Sequence, residues 1–235
     1  MIRAVVFDAV GTVMFPSQPV ADSYRTALAT HCGIQMPRED IADVVRAALQ
    51  RRSTQNSLRT DEAADQKFWR QLIFGLCGEH SSREACFEDL YQQFGDPACW
   101  SCYGDVVAGI RACNIAGVSV AIASNFDSRL HGVLDGLPPV SQLPMRFVSS
   151  AVGYRKPAEQ FFARVCHSLQ LEPAEVLFVG DDLTNDVRGA VVAGCAAAWI
   201  CRENDMKADL PGGTWRLSSL AELSDVLSSA EEAER

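Results

Sequence analysis

Four stretches of the chain carry polar residues whose types suit the transfer of a phosphoryl group. They are Asp8, the pair Ser124 and Asn125, Lys156, and the acidic group of Asp181, Asp182 and Asp186. Carboxylate oxygens are the ligands that Mg²⁺ prefers, so Asp8 and Asp181 are candidate metal ligands. The second stretch can donate hydrogen bonds to a phosphate, and Lys156 supplies a positive charge. The combination predicts a site at which Asp8 attacks phosphorus in line.

The elements before these residues predict how they come together. Asp8 follows the apolar run 4–7, and the apolar runs 118–123 and 176–179 end just before the second and fourth stretches. Continuous apolar runs are typical of strands buried on both faces of a parallel sheet. In such sheets, ligands bind beyond the carboxyl ends of the strands. We therefore expect the polar residues to converge at one edge.

The remainder of the chain predicts an α/β protein with a helical insertion. Apolar residues recur at helical spacing through residues 18–97, for example at Ile41, Val44, Val45, Ala48 and Leu49. After residue 98, helical segments (105–114, 128–134, 157–169, 186–192 and 218–227) alternate with strands, which also include 146–149 and 196–200. Such alternation indicates a Rossmann-like parallel sheet core, formed by residues 1–17 and 98–235, with residues 18–97 as an all-helical cap domain. Residues 230–235 are predicted to form a solvated tail.

Charge and cysteine usage limit the partners and the compartment. The chain has 235 residues, with 30 acidic and 21 basic side chains and a formal net charge of −9. Nucleic acids and anionic membranes need a basic face, so neither is an expected partner. Nine scattered cysteines and the lack of a signal peptide or membrane-length apolar segment favour a cytoplasmic protein. Cys99 and Cys102 form a Cys-x-x-Cys pair that lacks the further ligands zinc needs. We expect a small phosphorylated substrate and a monomer or homodimer.

In order and spacing, the motifs resemble those of the haloacid dehalogenase (HAD) superfamily over essentially the whole chain. The motifs are Asp8-Ala9-Val10-Gly11-Thr12, then Ser124-Asn125, then Lys156-Pro157, then Gly180-Asp181-Asp182-Leu183-Thr184-Asn185-Asp186. The resemblance implies a covalent aspartyl intermediate on Asp8, with Lys156 as the second catalytic residue. It also implies phosphate contacts from Gly11, Thr12, Ser124 and Asn125. Mg²⁺ is the implied cofactor, with Asp8, Val10, Asp181, Asp182 and Asp186 as the metal-site residues.

The first motif departs from the family's phosphatases at Val10. Those enzymes carry a second aspartate there, as general acid and base, and their metal contacts the backbone carbonyl of that residue. Val10 keeps the carbonyl, so metal binding should survive, whereas side-chain proton transfer should not. A positioned acid or base is worth a factor of about 10²–10⁴ in rate. We expect leaving groups that depart without protonation, such as those of aryl or acyl phosphates, and slow hydrolysis of the aspartyl phosphate.

Other interpretations stay open at this point. The chain could be a non-catalytic protein that keeps the phosphate and Mg²⁺ pocket. Two branches of the family also lack the second aspartate: the 2-haloacid dehalogenases, which lack the acidic Mg²⁺ motif, and the phosphonatases, which use a cap lysine as a Schiff base. Lys67 is the lysine available in the cap, although a solvated helix face explains it better. Arg51, Arg52 and Arg59 are candidates for binding anionic substrate groups, with solvated positions as the simpler explanation.

Overall fold

The structure is a computed structural model that describes residues 1–55, 57–202 and 208–232. Its strands are β1 (Ala4–Phe7), β2 (Met14–Pro16), β3 (Trp100–Cys102), β4 (Ser119–Ser124), β5 (Met145–Val148), β6 (Val176–Gly180), β7 (Ala196–Ile200) and β8 (Trp215–Leu217). Over these residues, six strands pair in parallel in the order β5-β4-β1-β6-β7-β8. The predicted Rossmann-like sheet is thereby confirmed, with β1 near its centre.

The helices fall into two groups along the chain. Between β2 and β3 lie α1 (Val20–Cys32), α2 (Arg38–Ser53), α3 (Glu62–Cys77) and α4 (Arg83–Gln93). The sheet is flanked by α5 (Val106–Ile115), α6 (Arg129–Asp135), α7 (Ser149–Val152), α8 (Glu159–Leu169), α9 (Gly189–Val192) and α10 (Leu223–Glu232). No helix in the described ranges combines the length and apolar character that crossing a membrane requires.

The central strand β1 is buried on both faces, as its continuous apolar sequence predicts. Val5 and Phe7 belong to a cluster that also contains residues of α5, α6 and α10. Val6 points the other way, into a cluster with Phe161 and Phe162 of α8. Because side chains alternate along a strand, four apolar residues in succession can only be buried if both faces are covered. The end of β1 is therefore rigidly held.

The helices α1–α4 have a separate apolar core. It is centred on Tyr24, Leu28, Ile41, Ile73 and Phe87, all of which are at most 2 % exposed. The local sequence defines helix ends as well. The carboxylate of Asp61, for example, accepts a hydrogen bond from the Ala64 amide at 2.8 Å and caps α3. These helices lie within the predicted cap segment, whose boundaries at residues 18 and 97 remain a prediction.

Several contacts join the helical cap to the sheet domain. The short strands β2 and β3 pair antiparallel at the two places where the chain passes between the regions. A backbone bridge links Arg59 to Tyr154. Beside it, the Glu62 carboxylate accepts hydrogen bonds from Ser128, through its amide and hydroxyl, and from the Ser150 hydroxyl. The cap is thus attached to the core partly through the β2–β3 pair and partly through the hydrogen bonds of Glu62 with Ser128 and Ser150, which we call the polar latch.

The structure differs from the sequence-based expectation in several short elements. The strands β2, β3 and β8, which the apolar pattern did not predict, are only three residues long. The helix expected at 186–192 is a π-helical turn, Leu183–Arg188, followed by α9. The last helix begins at Leu223 instead of residue 218, because Ser219 caps a separate 3₁₀ turn. Residues 230–232 of the expected tail are helical, and 233–235 lie outside the described residues.

Candidate active site

The carboxyl ends of three adjacent strands bring the first predicted residues together. Asp8 follows β1, which pairs on one side with β4, ending at Ser124, and on the other with β6, which leads into Asp181. The Asp8 amide also donates a 2.8 Å hydrogen bond to the Val179 carbonyl. Hydrogen bonding between β1 and β6 therefore fixes the position of the Asp8 backbone, from which the carboxylate extends.

Lys156 lies at the centre of the site and is only 2 % exposed. Its Nζ donates hydrogen bonds to Asp8 Oδ1 at 2.6 Å, to Asp186 Oδ1 at 2.5 Å and to the Ala123 carbonyl at 3.0 Å. Burial alone would lower the pKa of this lysine, but the carboxylates of Asp186 and Asp8 raise it above its usual value. Lys156 therefore remains an ammonium ion that holds two carboxylates in place.

Three carboxylates crowd around this single ammonium group. Oxygens of Asp8, Asp181 and Asp186 lie within 4.8 Å of one another. Burial raises the pKa of Asp181, and the negative charges of Asp8 and Asp186 raise it further. Burial also raises the pKa of Asp186, with Lys156 opposing the change. This excess of negative charge and the oxygen donor set fit a hard divalent cation such as Mg²⁺.

The three carboxylates are not equivalent as potential metal ligands. One oxygen of Asp186 binds Lys156, and the other accepts a 3.1 Å hydrogen bond from the Asp182 amide. Both carboxylate oxygens of Asp186 thus already have hydrogen-bond partners within the site. Asp8 and Asp181 are the residues best placed to hold the ion directly.

Two glycines make the close approach of the carboxylates possible. Gly11 has a positive φ of +90°, and a Cβ atom there would lie 2.3 Å from Oδ2 of Asp181. A Cβ atom on Gly180 would lie 2.2 Å from Oδ2 of Asp186. Any side chain at either position would displace an acidic group. The glycines of the first and last motifs therefore define the shape of the carboxylate cluster.

Gly11 and Thr12 lie against Asp181, and their predicted contact with phosphate stays a prediction. The Thr12 hydroxyl is buried and donates a 3.3 Å hydrogen bond to Asp181 Oδ1. Neither residue lines the cavity in front of Asp8. The tight turn after Asp8 places them beneath the acidic loop, because the turn packs against the residues that follow β6.

Asp182, a predicted metal-site residue, lies outside the group of carboxylates that face one another. Its Oδ1 accepts 2.8 Å hydrogen bonds from the amides of Thr184 and Asn185, and its Oδ2 accepts one from the Asn185 side chain. These bonds cap the π-helical turn that carries Asp186. The sequence could not distinguish the two roles, because adjacent acidic residues look alike until the turn is formed.

A cavity of about 250 Å³ opens in front of Asp8. Its walls include Val10, Ser124, Asn125 and Lys156, in addition to the acidic residues. The Asn125 side chain exchanges two hydrogen bonds with the Lys156 backbone, at 2.9 and 2.8 Å, and so fixes the loop that presents the lysine. The predicted Ser124 therefore faces the cavity, with Asn125 acting in part as a support for Lys156.

Two arginines add positive charge to this cavity. Arg52 of α2 forms an ion pair with Asp65, and Arg155 of the core is only 5 % exposed, with a buried Nε that has no hydrogen-bond partner. Burial lowers the pKa of both guanidinium groups. Arg51 and Arg59 are exposed instead. Sequence reasoning missed Arg155, although its position beside Lys156 was an available signal.

Lys67 is exposed on α3 and lines neither this cavity nor the apolar cavity described below. This position fits a solvated helix face. The structure therefore gives no support to a cap lysine acting as a Schiff base.

The fold and site define a capped α/β hydrolase built around an aspartate at the end of a central parallel strand. A family model described as haloacid dehalogenase-like hydrolase matches residues 2–194. The chain belongs to that family, as its motifs predicted.

Known relatives include both phosphatases and dehalogenases. Haloacid dehalogenase-like hydrolase domain-containing protein 3 from Bos taurus is 26 % identical over 200 residues, 82 % of this chain and 79 % of the relative. The L-2-haloacid dehalogenase from Xanthobacter autotrophicus has a TM-score of 0.73 at 21 % identity, covering 97 % of this chain and 99 % of its own. A HAD phosphatase from Thermococcus onnurineus has a TM-score of 0.70 at 21 % identity, covering 96 % and 98 %. A putative HAD-hydrolase from Bacillus subtilis, described as bound to magnesium, has a TM-score of 0.69 at 18 % identity, covering 97 % and 99 %.

Proposed function

We propose that the protein is a Mg²⁺-dependent phosphohydrolase that acts on a small phosphorylated metabolite through an aspartyl phosphate on Asp8. The observation that carries this proposal is the contact network of Lys156, which joins Asp8 to Asp186 beside the carboxylate of Asp181. A hydrolase that handled an uncharged substrate would have no need for this concentration of cation-binding and anion-binding groups.

The residues of the site divide the work as follows. Mg²⁺, held by Asp8, Asp181 and the Val10 carbonyl, would neutralise charge on the phosphate. Lys156 neutralises further charge and orients Asp8 for in-line attack, and Ser124 donates a hydrogen bond to a phosphate oxygen. The bond from Asp8 to phosphorus forms as the bond to the leaving oxygen breaks. Water then attacks the phosphorus and regenerates the carboxylate.

Val10 sets the character of this reaction. Its side chain can neither protonate the leaving group nor deprotonate the attacking water. We therefore infer a preference for leaving groups that depart as stable anions, together with accumulation of phosphorylated Asp8. This inference predicts a slow enzyme, with the second step limiting.

The dehalogenase reaction is the second candidate, because the Xanthobacter enzyme has a closely similar fold. Both reactions begin with attack by an aspartate. The acidic residues distinguish the two reactions. Phosphate transfer needs a cation, which a carboxylate cluster attracts, whereas the dehalogenase reaction needs none. A protein that binds phosphate and Mg²⁺ without turnover is the third candidate. In each case we propose a cytoplasmic monomer or homodimer that acts on a small molecule.

The decisive experiment is a screen of phosphate esters and 2-haloacids with and without Mg²⁺, using wild-type protein and Asp8→Asn. The matched control is Asp43→Asn, which changes an exposed aspartate of α2. We expect Mg²⁺-dependent phosphate release by wild type and the control, and none by Asp8→Asn. Intact-mass analysis should show a phosphorylated wild-type protein during turnover. Halide release without phosphate release would support the second candidate instead, and binding without either product would support the third.

A further inference from the structure

A second cavity, of about 230 Å³, lies between the cap and the core. Its walls include Val20, Tyr24 and Ile73 from the cap, and Trp100 and Phe126 from the core. These side chains are almost entirely apolar or aromatic. A ligand that enters this cavity therefore gains chiefly from leaving water.

Two polar groups on the wall of this apolar cavity, the Arg129 guanidinium and the Trp100 indole, already have partners within the protein. Arg129 donates to both oxygens of Asp127, at 2.8 and 2.7 Å, and its guanidinium stacks 3.4 Å from the centre of the Tyr91 ring. The Trp100 indole donates to the Phe94 carbonyl at 3.2 Å. These two groups are satisfied without a ligand, so neither of them selects for a polar one.

The apolar cavity adjoins the cavity in front of Asp8. Val10, Leu49, Trp69 and Asn125 line both. A substrate with its phosphate at Asp8 would therefore direct the rest of its structure past Val10 and towards the aromatic walls. Val10, which stands where the expected acid would be, is thus one of the four residues at the boundary between the two cavities.

We propose, on the basis of the proposed function, that the apolar cavity binds the leaving group of the substrate and that this group is an aromatic system of one or two rings that is linked to phosphorus through oxygen and has no charged substituent. A cavity of about 150 Å³ holds benzene, so the volume here accommodates more than one ring. Aromatic walls suit a flat aromatic occupant.

The chemistry of the leaving group agrees with the shape of the cavity. As Asp8 attacks phosphorus, the bond from phosphorus to the aryl oxygen breaks, and the aryloxide leaves with the electron pair. It takes its proton from solvent afterwards, so no acid at residue 10 is needed. Water then cleaves the aspartyl phosphate, and its proton is released to solvent.

The test compares two substrates in two valine variants. Val20→Phe narrows the cavity, whereas Val44→Phe makes the same change at an exposed position of the cap. The measured quantity is kcat/KM for 2-naphthyl phosphate divided by kcat/KM for acetyl phosphate, whose leaving group is small. We expect this ratio to fall about tenfold in Val20→Phe, a typical effect of pocket size, and to stay unchanged in Val44→Phe. An unchanged ratio in both variants would overturn the proposal, and acetyl phosphate turnover reports whether each variant is folded.

A binding measurement separates this proposal from the proposed function. Calorimetric titration of each protein with 2-naphthol should give about tenfold weaker binding to Val20→Phe than to wild type or Val44→Phe. Equal binding to all three proteins, or none, would overturn the cavity assignment even if phosphate esters are hydrolysed. If 2-naphthol binds more weakly only to Val20→Phe but neither 2-naphthyl phosphate nor acetyl phosphate is hydrolysed, the cavity assignment stands and the proposed phosphohydrolase activity is overturned.

Discussion

The two cavities on either side of Val10 have similar volumes, about 250 and 230 Å³, but they are built in opposite ways. The one in front of Asp8 has charged groups at the strand ends, held in place by hydrogen bonds, although Val10, Leu49 and Trp69 also line it. The other is formed by apolar side chains that meet where the cap packs on the core. On the proposed function, the charged cavity would carry out the reaction and the apolar cavity would bind the leaving group.

Val10→Asp tests the difference most strongly, because it adds the proton-transferring group to the charged cavity. We expect the rate of hydrolysis of an alkyl phosphate, such as glycerol 2-phosphate, to rise by about 10²–10⁴. Val44→Asp, on the exposed surface of α2, is the control and should change nothing. Steady-state phosphate release measures both variants. No gain in Val10→Asp would mean that another group already carries the proton, or that alkyl phosphates do not bind.

Lys156→Met tests whether the charged cavity is also a structural element. Removing the ammonium group leaves Asp8 and Asp186 buried without their counter-ion, which should lower the free energy of unfolding by about 3–5 kcal/mol. The matched change in the cap, Lys67→Met, removes an exposed lysine and should stay within about 0.5 kcal/mol of wild type. Urea unfolding measures both. Similar losses in the two variants would contradict the central position of Lys156.

Gly11→Ala and Gly33→Ala separate backbone strain from crowding of the acidic group. Both glycines have a positive φ, but only at Gly11 does an added Cβ meet a neighbour, the Asp181 carboxylate. Each variant should lose about 1–2 kcal/mol of stability from the left-handed backbone. Only Gly11→Ala should also need more Mg²⁺ for half-maximal activity, by about tenfold. An unchanged Mg²⁺ requirement would remove Asp181 from the list of candidate ligands.

Glu62→Gln is expected to have the smallest effect, because it weakens only the polar latch between cap and core. The loss of charge on the acceptor of the hydrogen bonds from Ser128 and Ser150 should cost about 1 kcal/mol. Glu88→Gln, at an exposed position of α4, serves as the control. Urea unfolding at neutral pH distinguishes the two. Equal stability of both variants would indicate that the other contacts between cap and core hold the cap without the Glu62 carboxylate.

The sequence predicted the charged cavity far better than the apolar one. Runs of apolar residues lead up to Asp8, Ser124 and Asp181, and such runs predict buried parallel strands. Because parallel strands place their carboxyl ends at one edge of the sheet, the runs also predict that these residues lie close together. Roles that depend on local geometry were not predictable. Thr12 supports Asp181 instead of facing the cavity, because of how the turn after β1 packs.

The apolar cavity had no signal in the sequence. Its residues come from all four cap helices and several core segments, and most of them are ordinary apolar positions in their own elements. Only the packing of α1, α2, α3 and α4 against the core makes them neighbours. The three-residue strands β2 and β3 were not predicted for a similar reason. They form because they pair with each other, and their own composition does not indicate a strand.

The position of Val10 between the two cavities limits how this protein can be altered. A carboxylate there would widen the range of esters that react, and it would also place a charge against aromatic walls that bind best when dry. On the proposed function, one substitution at this residue would therefore raise the rate for alkyl esters and weaken the binding of aromatic leaving groups at the same time.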